Sequence, residues 1–277
     1  MKKRFSIKRI LLYGVLSVIS LLLLAPLAWM ISTSLKPMSE VVTFPPSLIP
    51  KNVMWDNYRV AIQSFPFFSY MGNTLFITSL VVIGTLLSNS FIAYGFSKIS
   101  FPLKNVWFAL VLSTMMIPSF VTMIPQYIVF SKLGWVGTYL PLIVPSFFGN
   151  AFSIFLLRQF YLSINDELIE AAQLDGANHL YIWSHLMVPL TKPALITVGI
   201  LSFNGTWNDF VGPLLYIHDE ARYTLQLGLQ VFQNQSTTQW NLLMAAASLT
   251  LLPTIILFFV AQKYFMEGMD LSGASKG

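Results

Sequence analysis

Six charge-free apolar windows constrain this chain more than any other feature. They cover residues 10–31, 71–97, 106–131, 139–157, 193–208 and 242–262, and the fifth reaches back toward Leu186. None contains Asp, Glu, Lys or Arg. A helix rises about 1.5 Å per residue, so roughly 20 apolar residues cross the hydrocarbon of a bilayer. Backbone N–H and C=O groups in lipid must bond one another, which leaves helices or closed barrels. Barrel strands alternate apolar and polar residues over short segments, and these windows do not. The chain reads as an all-α integral membrane protein with six transmembrane helices.

Composition points the same way. Charged residues make up 10% of the chain and hydrophobic ones 55%, with a mean hydropathy of +0.67. Soluble domains carry roughly 25% charged residues. The formal charge of +5 would suggest nucleic acid for a soluble protein, but here the basic residues flank apolar spans, so membrane lipid is the expected surroundings and no nucleic acid is expected. Cysteine is absent, which excludes a disulfide framework, a thiolate nucleophile and Cys-ligated metal. His179, His185 and His218 are too scattered for a metal site, and none is expected. Lys2, Lys3, Arg4, Lys8 and Arg9 before the first window resemble a signal peptide. That window exceeds the usual apolar region of about 7–15 residues, so it reads as a retained span.

The basic residues also orient the chain. With the N-terminus inside, the inner segments hold eleven of the 16 Lys and Arg residues and the outer segments five. Loops rich in Lys and Arg stay cytosolic, so both termini and the segment 158–193 are expected in the cytosol. Prolines at 37, 45, 46 and 50 make the outer loop from Lys36 to Tyr70 extended at first. Residues 55–63 suit a short interfacial helix with Trp55 and Tyr58 at headgroup level. This loop is either a plain surface lid or part of an external gate or docking surface. Pro118 and Pro125 should kink the third span, as packing kinks or as a pathway lining. The stretch 233–239 (QNQSTTQ) reads as loop, and the Gly-rich tail after Val260 as irregular.

Segment 158–193 is the longest polar interruption with helical periodicity. It carries Asp166, Glu167, Glu170 and Asp175, with no Lys or Arg between Arg158 and Lys192. Ser163 with Asp166 fits a capping box that starts a helix at Ile164. At 100° per residue Ile164, Leu168, Ala171 and Ala172 fall on one face, opposite Asp166, Glu167, Glu170 and Gln173. Gly176 breaks the helix. A second short helix places Leu180, Trp183 and Met187 together, and Pro189 limits it. Helices that rest on lipid carry Lys and Arg on their polar face, because the inner leaflet is anionic. An acidic face fits a protein partner better, and Ala171 and Ala172 permit close approach.

The run 203–210 (FNGTWNDF) sets Asn204, Trp207, Asn208 and Asp209 within about two turns. An acid at the bilayer centre costs roughly 2.5–3.5 kcal/mol, so Asp209 belongs near the interface or in a wet cavity. Amides and an aromatic suit a polyhydroxylated solute. Interhelical hydrogen bonding explains them equally simply.

Glu170-Ala171-Ala172, three residues, Gly176, nine residues, then Leu186-Met187-Val188-Pro189 resembles the EAA loop of ABC importer permeases, whose pattern ends I-x-L-P. Leu186 and Val188 depart mildly and keep the apolar character. SLKP (34–37), WDNY (55–58), TWNDF (206–210) and SGASKG (272–277) look like the MalG-like, maltose-transporter type of sugar permease. The resemblance implies a type I importer permease fold: a cytosolic N-terminus over 1–9, a six-helix permease domain over 10–265 with the coupling segment 158–193, and a cytosolic tail over 266–277. It implies ATPase-subunit docking through Glu170, Ala171, Ala172, Asp175, Gly176 and Pro189. It also implies a second, homologous permease subunit, two ATP-binding cassette subunits, an extracytoplasmic solute-binding protein and a carbohydrate substrate. The location implied is a bacterial or archaeal plasma membrane. The chain lacks GxxxxGK[ST], so no cofactor is expected in it; ATP and Mg would sit on partner ATPase subunits. The chain would be no enzyme but a mechanical transport subunit. The rival reading is an ion-coupled secondary carrier or channel, for which only Asp209 offers a titratable group near a span. A membrane-embedded hydrolase needs a nucleophile–base or metal cluster that the spans lack.

Overall fold

The computed structural model describes residues 7–233 and 238–274, with the backbone alone for 7, 9, 10 and 263–274. Lys2, Lys3, Arg4, most of the 233–239 loop and the last three residues of the SGASKG end lie outside them. Among the described residues the chain is helical, and its β pairing is one isolated bridge between Gln233 and Thr238. Four helices are long and apolar enough to cross a membrane: Leu11–Ser34, Phe67–Lys98, Leu140–Leu162 and Trp240–Gln262. Two bent pairs, Lys104–Met116 with Ser119–Lys132 and His179–Leu190 with Lys192–Trp207, raise the number to six if each is one span.

The third window is therefore not one straight helix. Its halves meet at 100°, because Pro118 cannot donate a backbone N–H and its ring drives the preceding residue out of the helical region. Ile117 is extended, with φ −83° and ψ 117°. Pro125 lies inside the helix Ser119–Lys132 without ending it. The fifth window has 16 helical residues, Lys192–Trp207, about 24 Å by the helical rise, short of a ~30 Å hydrocarbon core. The expectation of an irregular tail after Val260 is corrected. The last helix runs from Trp240 to Ala274, since extending a helix is far easier than starting one.

The chain divides into two compact units. One comprises Met1–Phe67 with Gly228–Leu252. Its outer loop carries the helix Asp56–Gln63, close to the expected 55–63. Asn57 is buried and ties this unit together. Its amide donates to the carbonyls of Ser34 and Lys36 at 2.8 and 2.9 Å, and its Oδ1 accepts from Asn241 at 3.3 Å. Trp55 is exposed, but Tyr58 turns inward, its hydroxyl meeting Ser34 at 2.8 Å and Ser248 at 3.3 Å.

The other unit comprises Phe68–Leu227 with Pro253–Gly277. Asn89 is fully buried midway along the helix Phe67–Lys98, and its Oδ1 accepts the backbone N–H of Asn150 at 2.6 Å. Asn150 in turn caps the helix Ala151–Leu162 by accepting from Ser153 N at 3.2 Å. Gly149 beside it has φ +93°, and a Cβ there would lie 2.8 Å from Ile92 Cδ1. One buried cluster gathers Ala93 and Tyr94, Ile154, Leu157 and Tyr161, Ile169, Ile182 and Met187, and Ala194 and Val198. After Phe210 the chain makes short helical turns at Val211–Tyr216, Glu220–Arg222 and Leu225–Gly228.

Candidate functional site: an acidic elbow

The acidic helix runs from Asp166 to Leu174, two residues later than the capping-box expectation. Asn165 is the cap: its side chain accepts from Glu167 N at 3.2 Å, whereas the Ser163 hydroxyl turns back to the Phe160 carbonyl at 2.7 Å. An Asn can supply the same acceptor two residues nearer the helix proper, so the Ser163–Asp166 box does not form.

The apolar face is also corrected. Ile169, 5% exposed, is the residue this helix buries, with Ile164 and Ala172 packed partly beside it. Leu168 and Ala171 are exposed. Ile169 and Ala172 are three apart, which keeps them on one side of the helix. Asp166, Glu167, Glu170 and Gln173 are exposed, as expected.

Gly176 ends the helix with φ +84°. The closing hydrogen bonds run from Ala177 N to Ala172 O at 2.9 Å and from Gly176 N to Gln173 O at 3.0 Å. That pair is a Schellman ending, which places its hinge residue in the left-handed region where Gly carries no Cβ penalty. Asp175, just before it, is exposed and bears the C-cap position.

The second arm runs from His179 to Leu190. Asn178 caps it, accepting from Tyr181 N at 2.8 Å. Residues Ile182–Met187 form a π turn. Of the expected face, Met187 is buried and Trp183 packs partly against the same cluster, but Leu180 is exposed and is corrected: Ile182, five residues before Met187, is buried instead. A wide turn brings i and i+5 onto one side, a spacing that 3.6-residue periodicity does not anticipate. The arm ends at Leu190, one residue past Pro189, and bends by 83° into the helix Lys192–Trp207. A proline lacks the N–H that a preceding α turn would use, and the π turn lies just before it.

The residues that hold the elbow were not singled out from sequence. Lys98, the last residue of its helix and with a side chain 2% exposed, donates to the Asp166 carboxylate at 2.5 Å and to the Ile164 carbonyl at 2.6 Å. Tyr94 hydroxyl meets His179 Nδ1 at 2.9 Å. Arg158 donates to the Phe96 carbonyl at 3.1 Å with its guanidinium 4.2 Å over the Phe108 ring, and Lys104 reaches the carbonyls of Ser97 and Ile99. Cations thus satisfy the open carbonyls at this helix C-terminus. Between them lies a cleft of about 380 Å³, with Lys98, Asp166, Ile169, Glu170, Gln173 and His179 on its walls. The sequence signal for this is the pair Lys98 and Lys104, two of the eleven basic residues of the inner segments.

The 203–210 run is split rather than gathered. Asn204 and Asn208 are exposed and bonded to each other at 2.9 Å. Trp207 is 1% exposed and stacked on Phe203 with ring centroids 5.4 Å apart. Asp209 faces a chamber of about 60 Å³ beside Thr74, Thr78, Thr206 and Thr224. Its Oδ1 accepts from Gly212 N at 3.1 Å. Burial pushes its carboxyl above the usual range, against the lowering effect of the Gly212 and Val211 N–H groups. A larger groove, about 460 Å³, is lined by Thr85, Ser146, Asn150, Ser153, Ser202 and Thr206. Its hydroxyls are spread over three helices, so no single stretch of sequence marks it.

Residues 81–270 match the family model described as "Binding-protein-dependent transport system inner membrane component". The chain is 34% identical over 253 residues to the "Probable ABC transporter permease protein YurM" of Bacillus subtilis, covering 91% of this chain and 83% of that protein. It is 32% identical over 273 residues to the "Arabinooligosaccharides transport system permease protein AraQ" of the same organism, covering 98% and 97%. A solved bacterial ABC transporter involved in the import of the acidic polysaccharide alginate superposes with a TM-score of 0.81 at 26% identity, over 95% of this chain and all of that one.

Proposed function

The chain belongs to the family of binding-protein-dependent transport system inner membrane components, and we propose that it couples ATP-driven closure of partner subunits to passage of a carbohydrate. It is an ABC importer permease subunit with the type I permease fold, not an enzyme. An oligosaccharide is the proposed cargo, in keeping with the name of the AraQ relative. The acidic elbow is the proposed contact with an ATP-binding subunit, on the cytosolic side with both termini. A second permease and an external binding protein complete the proposed assembly, in a bacterial or archaeal plasma membrane.

One observation carries this reading. Ile169 from the acidic helix and Ile182 and Met187 from the second arm sit in one buried cluster with Ala93, Leu157 and Val198. These last three belong to the helices Phe67–Lys98, Ala151–Leu162 and Lys192–Trp207. A packed interior shifts as a unit rather than deforming locally, so a displacement of the elbow would tilt all three. Glu170 stays exposed on the outer face of that lever, open to a cationic or polar group of an ATPase cleft. The polar groove lined by Thr85, Ser146 and Ser202 offers a proposed solute path beside the candidate run of Asn204, Trp207, Asn208 and Asp209.

The test is ATP-driven uptake of labelled arabino- and malto-oligosaccharides in cells expressing the full transporter. Glu170→Lys should abolish uptake at unchanged membrane insertion. Uptake that persists in ATP-depleted but energised vesicles would overturn the ATP-driven reading.

A further inference from the structure

We propose that Tyr161 is a positioning residue for transport: its hydroxyl bonds the second arm of the elbow once the elbow has moved, and has no partner in the conformation seen here. The proposal rests on the coupling reading above. Tyr161 and the polar side chains around its hydroxyl all belong to the unit Phe68–Leu227 with Pro253–Gly277.

Tyr161 is fully buried, and its hydroxyl makes no hydrogen bond. The indole N–H of Trp183, on the π turn of the second arm, is also buried without an acceptor. Buried polar atoms are ordinarily paired. Thr191, Ser90 and Trp183 stand beside the Tyr161 hydroxyl, yet none meets it at hydrogen-bonding distance and angle. The two unmet groups are therefore neighbours, and they are complementary. An indole N–H only donates, whereas a phenol both donates and accepts. Ser90 and Thr191 complete the set. Each commits its own proton to its helix, Ser90 to the Leu87 carbonyl at 3.2 Å and Thr191 to the Met187 carbonyl at 2.8 Å. Each can then only accept from the tyrosine. One chain would satisfy every member, with Trp183 donating to Tyr161 and Tyr161 to Thr191 or Ser90.

These groups sit on parts that shift against one another when the elbow moves. Ser90 is on the helix Phe67–Lys98 and Tyr161 on Ala151–Leu162. Trp183 is on the second arm, and Thr191 occupies the joint where that arm turns by 83° into Lys192–Trp207. The unmet atoms are sealed from solvent, so their partners must come from within the protein. A hydrogen bond absent in one conformation and made in another favours the second by its own free energy. The Tyr161 hydroxyl thus tips the balance toward the moved elbow.

The test compares Tyr161→Phe, Trp183→Phe and the double variant, each of which keeps an aromatic ring in place. Thermal unfolding of the full chain in detergent reads the conformation seen here. Tyr161→Phe should leave the midpoint unchanged or raise it, because it removes a hydroxyl that has no partner. ATP-driven uptake of labelled arabino- and malto-oligosaccharides by the full transporter reads the moved elbow. Tyr161→Phe should lower uptake about fivefold at unchanged assembly, the shift that one hydrogen bond gives. Trp183→Phe should lower it too, and the double variant no further than Tyr161→Phe alone, since both remove the same bond. A lower midpoint for Tyr161→Phe overturns the proposal, because the hydroxyl would then already be bonded, to an ordered water or otherwise. So do losses of uptake that multiply in the double variant. ATP-driven uptake at the wild-type rate in Tyr161→Phe sinks the role of the tyrosine and leaves the coupling reading standing. Wild-type uptake that ignores ATP sinks the coupling reading and this proposal with it.

Discussion

The Lys98 ammonium joins the last residue of one long helix to Asp166, the first residue of the acidic helix, at 2.5 Å. The two partners are not equivalent. The Lys98 side chain is 2% exposed and that of Asp166 76%. Exposed ion pairs are worth about 0.2–1 kcal/mol, so Asp166→Asn should be mild. Lys98→Met also strips the part-buried Ile164 carbonyl of its donor and should cost more, about 1 kcal/mol beyond the ion pair. A double-mutant cycle on unfolding of the solubilised protein checks the order. Equal effects of the two substitutions would contradict it.

Gly176 is predicted to be irreplaceable by conformation, not by crowding. Nothing lies within 4 Å of a Cβ built there, yet φ is +84°. Gly176→Ala should destabilise the elbow by about 1–2 kcal/mol, and Gly176→Asn by less, since Asn enters the left-handed region more readily. Gly176→Pro is incompatible with that φ and also removes the N–H that bonds Gln173 O; it should uncouple ATP hydrolysis from uptake. Normal coupling in that variant would remove the hinge role.

Asn89 is predicted to act as a structural clamp between two helices. Asn89→Ala leaves the Asn150 N–H without its 2.6 Å acceptor, at a cost of about 1–3 kcal/mol. Gly149→Val should be at least as damaging, because its Cβ would meet Ile92 and Ile154 side chains at 2.8 and 3.1 Å in a residue with φ +93°. Thermal unfolding in detergent measures both.

Asp209 should make stability depend on pH in a particular direction. Its carboxyl is raised above the ordinary 3.8 by burial, so the folded protein holds that proton more tightly than the unfolded chain. Its contribution is full below the unfolded value and is lost as pH rises through the folded value. Asp209→Asn keeps an acceptor for Gly212 N and should flatten this slope. Unfolding midpoints between pH 4 and 8 should converge for the two proteins at the acid end and diverge at the alkaline end. A wild-type midpoint that rises more steeply than the variant's would refute the assignment.

Sequence alone determined that this chain is a bundle of apolar helices interrupted by one acidic elbow. Charge-free runs of span length and the Gly176 break are local properties, and local physics reads them directly. The phase of the elbow was not local. Periodicity favoured Leu168 and Leu180, while the fold buried Ile169 and Ile182 in their place and kept Met187 as expected. The deciding factors were an Asn165 cap and a π turn before Pro189, both of which shift register by a residue or more. The 100° break at Pro118 could be expected as a kink but not as an angle, since the angle depends on packing against neighbours. The Lys98 anchor, the threonine chamber around Asp209 and the polar group around the Tyr161 hydroxyl join residues far apart in the chain. Only the tertiary structure assembles them, because hydrogen bonds and burial depend on distance in space, which no one-dimensional pattern encodes.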